Sequence, residues 1–149
     1  MSNDIVLIHG SFVASWSFDR FRKPFEKAGY RVRAIDLPHH QPGAEMAALA
    51  ACGLREYAGA IEAAIADLPR PILIGHSMGG LLAQIVASRR PVAAKILLAP
   101  AAPWGVGPTT ADETAANLTL FTLGDYWNRT IDPDYNSARA VALQRFSRE

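Results

Sequence analysis

The sequence predicts an α/β fold in which helices flank a parallel sheet. Short, continuous apolar runs alternate with segments of helical periodicity along the first 100 residues. Such runs are typical of strands buried on both faces, and their alternation with helices is typical of βαβ units. One of the runs turns through a serine directly into a helix. The length of 149 residues, half of them apolar, suits a compact globular domain.

The expected elements follow in chain order. A strand over Ile5 to Ile8 precedes a helix from about Ser17 to Lys27, which Pro24 kinks or restarts and Gly29 ends. The remaining elements are a strand over Arg31 to Leu37, a helix over about Leu54 to Leu68, a strand over Ile72 to Ile74, a helix over Met78 to Arg90 and a strand over Lys95 to Leu98.

The sharp turn after the third strand has the G-x-S-x-G pattern of a nucleophile elbow, with Gly75, Ser77 and Gly79. Side chains at the two glycine positions would collide with the neighbouring strand and helix. The start of the following helix places backbone N–H groups beside the serine, where they favour developing negative charge. An ordinary βα turn with an incidental serine is the alternative.

Four segments together resemble the α/β-hydrolase family, and the resemblance covers nearly the whole chain. They are Ile5 to Ser11, Asp36 to Pro38, Gly75 to Gly80 and Ile96 to Pro100. The resemblance implies that Ser77 attacks an acyl carbon, with carboxylic ester hydrolysis as the leading reaction. It also implies that the oxyanion is held by the backbone N–H groups of Met78 and Ser11, with Phe12 as the less favoured donor. A simple strand-ending turn is the alternative for His9 and Gly10.

The same resemblance divides the chain into a core over residues 1–100 and a helical cap over residues 101–149. It implies the strand order second, first, elbow, fourth, in a core that lacks its C-terminal strands, with an incomplete cap. Thr110 to Glu113 is typical of a capping box that opens a helix. Phe12 and the aromatic residues of the cap would line an apolar pocket. Alternatively, the cap residues would only join the cap to the core. The cap residues are Trp104, Phe121, Tyr126, Trp127 and Tyr135.

No histidine follows Ser77, although the family places its acid and then its histidine after the serine. We therefore expect residues 1–149 to be the N-terminal portion of a longer hydrolase, inactive as a fragment. Alternatively, His39 or His40 acts as the base. We expect His76 to point away from the serine and Asp36 to bind loop N–H groups. A non-catalytic ligand-binding protein that keeps the pocket is the competing hypothesis from another class.

The composition limits the classes of partner and substrate that we expect. The net charge is +1 and the charged residues are scattered, so nothing favours nucleic acid or an anionic membrane, and a small apolar ester is the expected substrate. No nucleotide-binding loop or metal-ligand spacing is present, and Cys52 has no second cysteine to pair with. Lacking a signal peptide or a membrane span, the chain is expected to be cytoplasmic. The apolar fourth strand would form an exposed edge and favour self-association.

Overall fold

The computed structural model describes residues 3–103, 105–107, 109–112, 114–115 and 136. Four strands form one parallel sheet in the order β2, β1, β3, β4. The strands are β1 (Asp4–Ile8), β2 (Arg31–Ile35), β3 (Ile72–His76) and β4 (Ala94–Leu98), and the helices are α1 (Arg22–Lys27), α2 (Met46–Ala50), α3 (Leu54–Ala64) and α4 (Met78–Arg89). The predicted α/β class and strand order are confirmed.

The register of the sheet brings the ends of the central strands together. Ile8 at the end of β1 lies opposite Ile35 on one side and Gly75 on the other, and His76 lies opposite Leu98 of β4. Because all four strands run in the same direction, the loops that follow them share the carboxyl edge of the sheet. Ligands of open α/β sheets bind at this edge.

Alternating side chains of the strands build a core on each face of the sheet. Val6, Ile8 and Leu73 pack on one face with residues of α3 and α4, such as Ile61 and Leu82. On the other face, a smaller cluster joins strand residues to the segment between β1 and β2. Its fully or nearly buried members are Ile5, Leu7, Phe18 and Ile74.

The helix predicted over Ser17 to Lys27, with a kink or restart at Pro24, is broken in the structure, so one continuous helix is wrong and the restart is right. The structure has a 3₁₀ turn at Ser15–Phe18 and then the separate helix α1. In one continuous helix, Pro24 would remove the hydrogen bond to the carbonyl of Arg20 and its ring would clash with that group. As the third residue of α1, Pro24 needs no such bond, so the proline restarts the helix.

The short helix α2 was not predicted, and two element boundaries differ. α2 is an alanine-rich segment with no side-chain cap and no apolar periodicity long enough to be recognised. β2 ends two residues before Leu37, and α3 ends at Ala64 although Ile65 and Leu68 are buried beyond it. The buried stripe was therefore right, but it continues past the end of the regular helix.

Two bidentate ion pairs join elements at the amino edge of the sheet. Arg31 donates to both carboxylate oxygens of Asp4, each at 2.7 Å. Arg33 donates to both oxygens of Asp67 at 2.9 Å and also to the carbonyl of Ala64. These contacts connect β1, β2 and the segment after α3 at the edge opposite to the elbow.

The chain divides into two compact units, Met1–Trp104 and Gly105–Glu149. In the second unit, Ala111, Asp112, Thr114 and Ala115 are helical, and the N–H of Thr114 donates to the carbonyl of Thr110 at 3.0 Å. A helix therefore begins where it was predicted. Within the described part of the chain, no helix has the length and apolar character needed to cross a membrane.

Candidate active site

Ser77 is the single residue between β3 and α4, and its backbone is strained. Its φ of 53° and ψ of −121° lie outside the regions that residues with a side chain ordinarily adopt. Such a conformation persists only where the surrounding structure enforces it. The strand-to-helix turn thus has the backbone that a nucleophile elbow requires.

Neighbouring backbone atoms leave no room for a side chain at the two glycines of the motif. A Cβ on Gly75 would overlap the carbonyl of Gly79 and lie 2.7 Å from the nitrogen of Gly80. A Cβ on Gly79 would overlap the carbonyl of Ile8 and lie 2.5 Å from that of His9. The predicted collisions are therefore confirmed, one with the helix and one with the neighbouring strand.

Hydrogen bonds hold the backbone of Ser77 from both sides. Its N–H donates to the carbonyl of Leu98 at 3.0 Å. Its own carbonyl accepts from the N–H groups of Gly80 and Ala101, both at 2.9 Å. The hydroxyl group, by contrast, makes no hydrogen bond with any residue in the described ranges. The serine is half-buried, with its backbone fixed and its hydroxyl oxygen without a partner among the described residues.

The loop after β1 lies directly against the serine. The position of a Cβ on Gly10 is only 2.9 Å from the Cβ of Ser77. The Ser11 hydroxyl donates to the thioether sulfur of Met78 at 3.5 Å, so Ser11 lies over the first residue of α4. Two segments far apart in the chain therefore meet at Ser77.

The backbone N–H groups of Ser11 and Met78 have no hydrogen-bond acceptor among the described residues. Met78 is the first residue of α4, where N–H groups have no partner within the helix. The positive end of the helix dipole adds to their preference for an anion. The structure thus brings together the three residues assigned to the reaction, Ser77, Met78 and Ser11, although their roles stay predictions.

Phe12 lies on the same loop and is 58% exposed, with a φ of 65°. Its position after β1 agrees with a substrate-contacting residue, and that role stays a prediction. The other aromatic residues assigned to the pocket are outside the described residues. They are Trp104, Phe121, Tyr126, Trp127 and Tyr135.

His40 is engaged elsewhere and makes no described hydrogen bond to Ser77. Its Nδ1 is 3.0 Å from the carbonyl oxygen of Pro38, and its ring packs between His9 and Tyr57, with ring centroids 5.1 Å and 5.4 Å away. β2 and β3 are separated by β1, so their ends are about 10 Å apart. The structure therefore gives no support to His40 as a base for Ser77.

Two further sequence expectations concern side chains at the carboxyl edge. Asp36 accepts a hydrogen bond from the N–H of Ser15 at 2.8 Å, and this bond holds the pKa of its carboxyl below the usual value. The predicted loop-binding role of Asp36 is confirmed. His76 is exposed at the end of β3, with its Nδ1 3.4 Å from the Cβ position on Gly10.

Sequence reasoning missed the internal bonds of His9. The side chain is fully buried, its Nδ1 is 2.7 Å from the carbonyl oxygen of Gly10, and its Nε2 accepts from the N–H of Leu37 at 3.0 Å. Burial lowers the pKa of its imidazole. The available signal was a titratable residue directly after a continuous apolar strand, since such a residue needs buried partners.

No three His, Cys, Asp or Glu side chains of the described segments come together as a metal site. At the carboxyl edge, a hydroxyl on a strained turn lies beside two N–H groups that have no acceptor among the described residues. Attack on an acyl carbon, in which the carbonyl oxygen becomes an anion, uses such an arrangement.

Comparison with known proteins gives the same class. Residues 5–148 match the model of the alpha/beta hydrolase family. The chain belongs to this family.

Two relatives are named as a hydrolase and a methylesterase. A pyrethroid hydrolase of Sphingobium wenxiniae is 35% identical over 89 residues, which are 59% of this chain and 31% of the relative. Methylesterase 8 of Arabidopsis thaliana is 29% identical over 105 residues, covering 61% of this chain and 34% of the relative. The matches thus span about a third of the length of these curated relatives.

A solved structure supports the fold at greater coverage. An extracellular alpha/beta-hydrolase from a Paenibacillus species superposes with a TM-score of 0.68 at 22% identity, over 91% of this chain and 57% of that one. At this identity the likeness concerns the fold alone.

Proposed function

We propose that this chain carries the nucleophile and the oxyanion site of a carboxylic ester hydrolase. Ser77 Oγ attacks the acyl carbon, the alcohol leaves, and the acyl group stays on the serine until water releases the acid. The N–H groups of Met78 and Ser11 bind the oxyanion that forms in each step. The observation that carries the proposal is the strained Ser77 elbow beside two N–H donors that have no acceptor in the described part of the chain.

The substrate class follows from charge and from the relatives. The chain has a net charge of +1 with scattered charged residues, so a small, uncharged ester suits it best. The names pyrethroid hydrolase and methylesterase both denote action on esters. We propose that residues 101–149 form the cap over the acyl or alcohol group and that Phe12 contacts it from the core.

A base for Ser77 is the group that we expect residues 1–149 to lack. All four histidines precede the serine; His9 is buried and bonded to Leu37, and the half-buried His40 packs against Tyr57. Triads that lose one member keep only the acceleration from binding and the oxyanion hole, about 10³–10⁴-fold over water. We therefore expect residues 1–149 alone to hydrolyse p-nitrophenyl acetate only slightly above the buffer rate.

The test compares that chain with two serine variants. Ser77→Ala is expected to remove the residual hydrolysis of p-nitrophenyl acetate. Ser88→Ala is the matched control, because Ser88 lies in α4, which directly follows Ser77, and is exposed, with its hydroxyl bonded to the carbonyl of Ile85. Equal rates for Ser77→Ala and the unmodified chain would contradict the assigned nucleophile.

A second experiment separates an enzyme from a ligand-binding relative. A C-terminal segment of another α/β-hydrolase that carries an acid and a histidine is added, in cis or as a separate chain. Ester hydrolysis that rises and depends on Ser77 supports the enzyme. The non-catalytic alternative, a protein that keeps the pocket, predicts ligand binding but no gain in rate.

A further inference from the structure

The bonds of His9 fix the protonation of its ring. The N–H of Leu37 can only donate, so Nε2, at 3.0 Å, must be an unprotonated acceptor. The carbonyl oxygen of Gly10 can only accept, so Nδ1, at 2.7 Å, must carry the proton. His9 is therefore neutral, with its single proton directed at Gly10.

The Gly10 carbonyl belongs to the same peptide unit as the Ser11 N–H. This peptide is trans and planar, so its C=O and N–H point in opposite directions. A bond that holds the oxygen of Gly10 against the buried ring therefore also fixes the direction of the N–H of Ser11. That N–H is one of the two proposed oxyanion donors, and Gly10 itself lies against Ser77.

We propose that His9 is a positioning residue for the oxyanion site, which sets the direction of the Ser11 N–H by holding the carbonyl of Gly10. The catalytic meaning of this role rests on the proposed function, whereas the geometry does not. The second bond, to the N–H of Leu37, keeps the ring from turning and ties the arrangement to the end of β2. A donor fixed before reaction needs no reorganisation as charge develops.

Two amide variants separate the two bonds of the ring. The amide of asparagine reaches about as far as Nδ1, so His9→Asn keeps a donor for Gly10 and loses the bond to Leu37. The amide of glutamine reaches about as far as Nε2, so His9→Gln keeps an acceptor for Leu37 and loses the donor for Gly10. A purely structural tie between β1 and β2 would be preserved better by glutamine.

The direct measurement is the residual dipolar coupling of the Ser11 N–H, which reports the direction of that bond, with β1 amides as internal controls. We expect the Ser11 coupling to change in His9→Gln and to be retained in His9→Asn, while Val6 and Leu7 keep theirs in both. A coupling that changes only in His9→Asn, or in neither variant, would overturn the proposal. If neither variant folds, ¹⁵N spectra of the His9 ring in the unmodified chain decide: a proton on Nε2 overturns it.

The rate of p-nitrophenyl acetate hydrolysis in the two variants tests the role of His9 in the reaction. The Ser77-dependent rate should fall at least about tenfold in His9→Gln, through kcat and not KM, and change much less in His9→Asn, because loss of an oxyanion donor acts on the transition state. Equal rates in both variants would contradict the role in catalysis. If no Ser77-dependent reaction exists, the proposed function fails, while the dipolar couplings still test the positioning.

Discussion

The two edges of the parallel sheet differ in what holds their loops. At the amino edge, bidentate ion pairs join Asp4 to Arg31 and Arg33 to Asp67. At the carboxyl edge, each strand is followed by a residue with positive φ that is not glycine, and these are all such residues in the described part of the chain: Phe12, His39, Ser77 and Ala99.

Backbone strain is therefore concentrated at one edge, while the other is relaxed and closed by charge pairs. Strained conformations cost free energy and persist where packing enforces them, as happens at functional sites. The N–H groups of Ser11 and Met78, which have no acceptor within the described ranges, lie at the same edge. We infer that the carboxyl edge gives up stability where it holds the residues assigned to the reaction, whereas the ion pairs of the amino edge join elements of the fold.

The largest expected effect is at the contact between the elbow and β1. Gly79→Ala places a Cβ where it overlaps the carbonyl of Ile8. Because this group belongs to the backbone of β1, it cannot move aside as a flexible side chain would. We therefore expect a loss of about 3 kcal/mol or more in unfolding free energy. Gly59→Ala is the control, since nothing lies within 4 Å of its Cβ position in α3. It should gain about 0.5–1 kcal/mol. Urea denaturation measures both, and equal effects would contradict the packing account.

The next effect concerns β4, which pairs only with β3 among the described strands. Ile96 is 45% exposed, whereas Leu97 packs partly against the core. We propose that residues 1–149 self-associate through this edge, and that Ile96→Lys raises the dissociation constant at least about tenfold. Light scattering at several concentrations tests this. A monomeric unmodified chain would refute the proposed self-association. Leu97→Lys should mainly lower the unfolding free energy, because Leu97 packs against the core.

A smaller effect separates the interior of the carboxyl edge from its surface. Burial lowers the pKa of His9, with the charge of His40 acting in the same direction and the Gly10 bond and Asp36 opposing it. As the pH is lowered below about 6.5, His9 therefore takes up a proton in the unfolded chain before it does so in the folded chain. The unfolding free energy thus decreases as the pH decreases. Above this pH the contribution is complete.

His9→Asn should flatten the dependence of unfolding free energy on pH between pH 5 and 7.5. His39→Asn is the matched control, because His39 is exposed and asparagine tolerates its φ of 62°. The control should keep the dependence of the unmodified chain. The same slope in His9→Asn would show that the buried imidazole is not its source.

The smallest effect belongs to the amino edge. Asp67→Asn should lower stability slightly at low salt and have almost no effect at 1 M salt, because exposed ion pairs are weak and screened. The catalytic measurements should not change. A decrease in the Ser77-dependent rate as large as that of His9→Gln would mean that the two edges are not separate in function.

The sequence was sufficient for the sheet and for the elbow because both follow from local patterns. Continuous apolar runs marked the strands, and the glycines around Ser77 marked backbone contacts that the structure contains. The bond of Asp36 to the loop after β1 was also predicted, since an acid at a strand end usually binds nearby N–H groups.

What could not be predicted depends on contacts distant in sequence. His9 was read only as part of a strand-ending pair, because its partner Leu37 lies 28 residues away. The break before α1 and the short α2 leave weak periodicity. The role of Phe12 and of the cap aromatics stays a prediction, as does the identity of the base.

The central claim is that Ser77 is a nucleophile served by the N–H groups around it, and mass spectrometry of the protein after reaction with p-nitrophenyl acetate tests it most directly. Without a base to activate water, the acyl-enzyme should form slowly and release its acid more slowly still, so it accumulates. The account predicts one acetyl group per chain, on the peptide that contains Ser77, and none on that peptide in Ser77→Ala. Acetylation of other residues with Ser77 unmodified would contradict it.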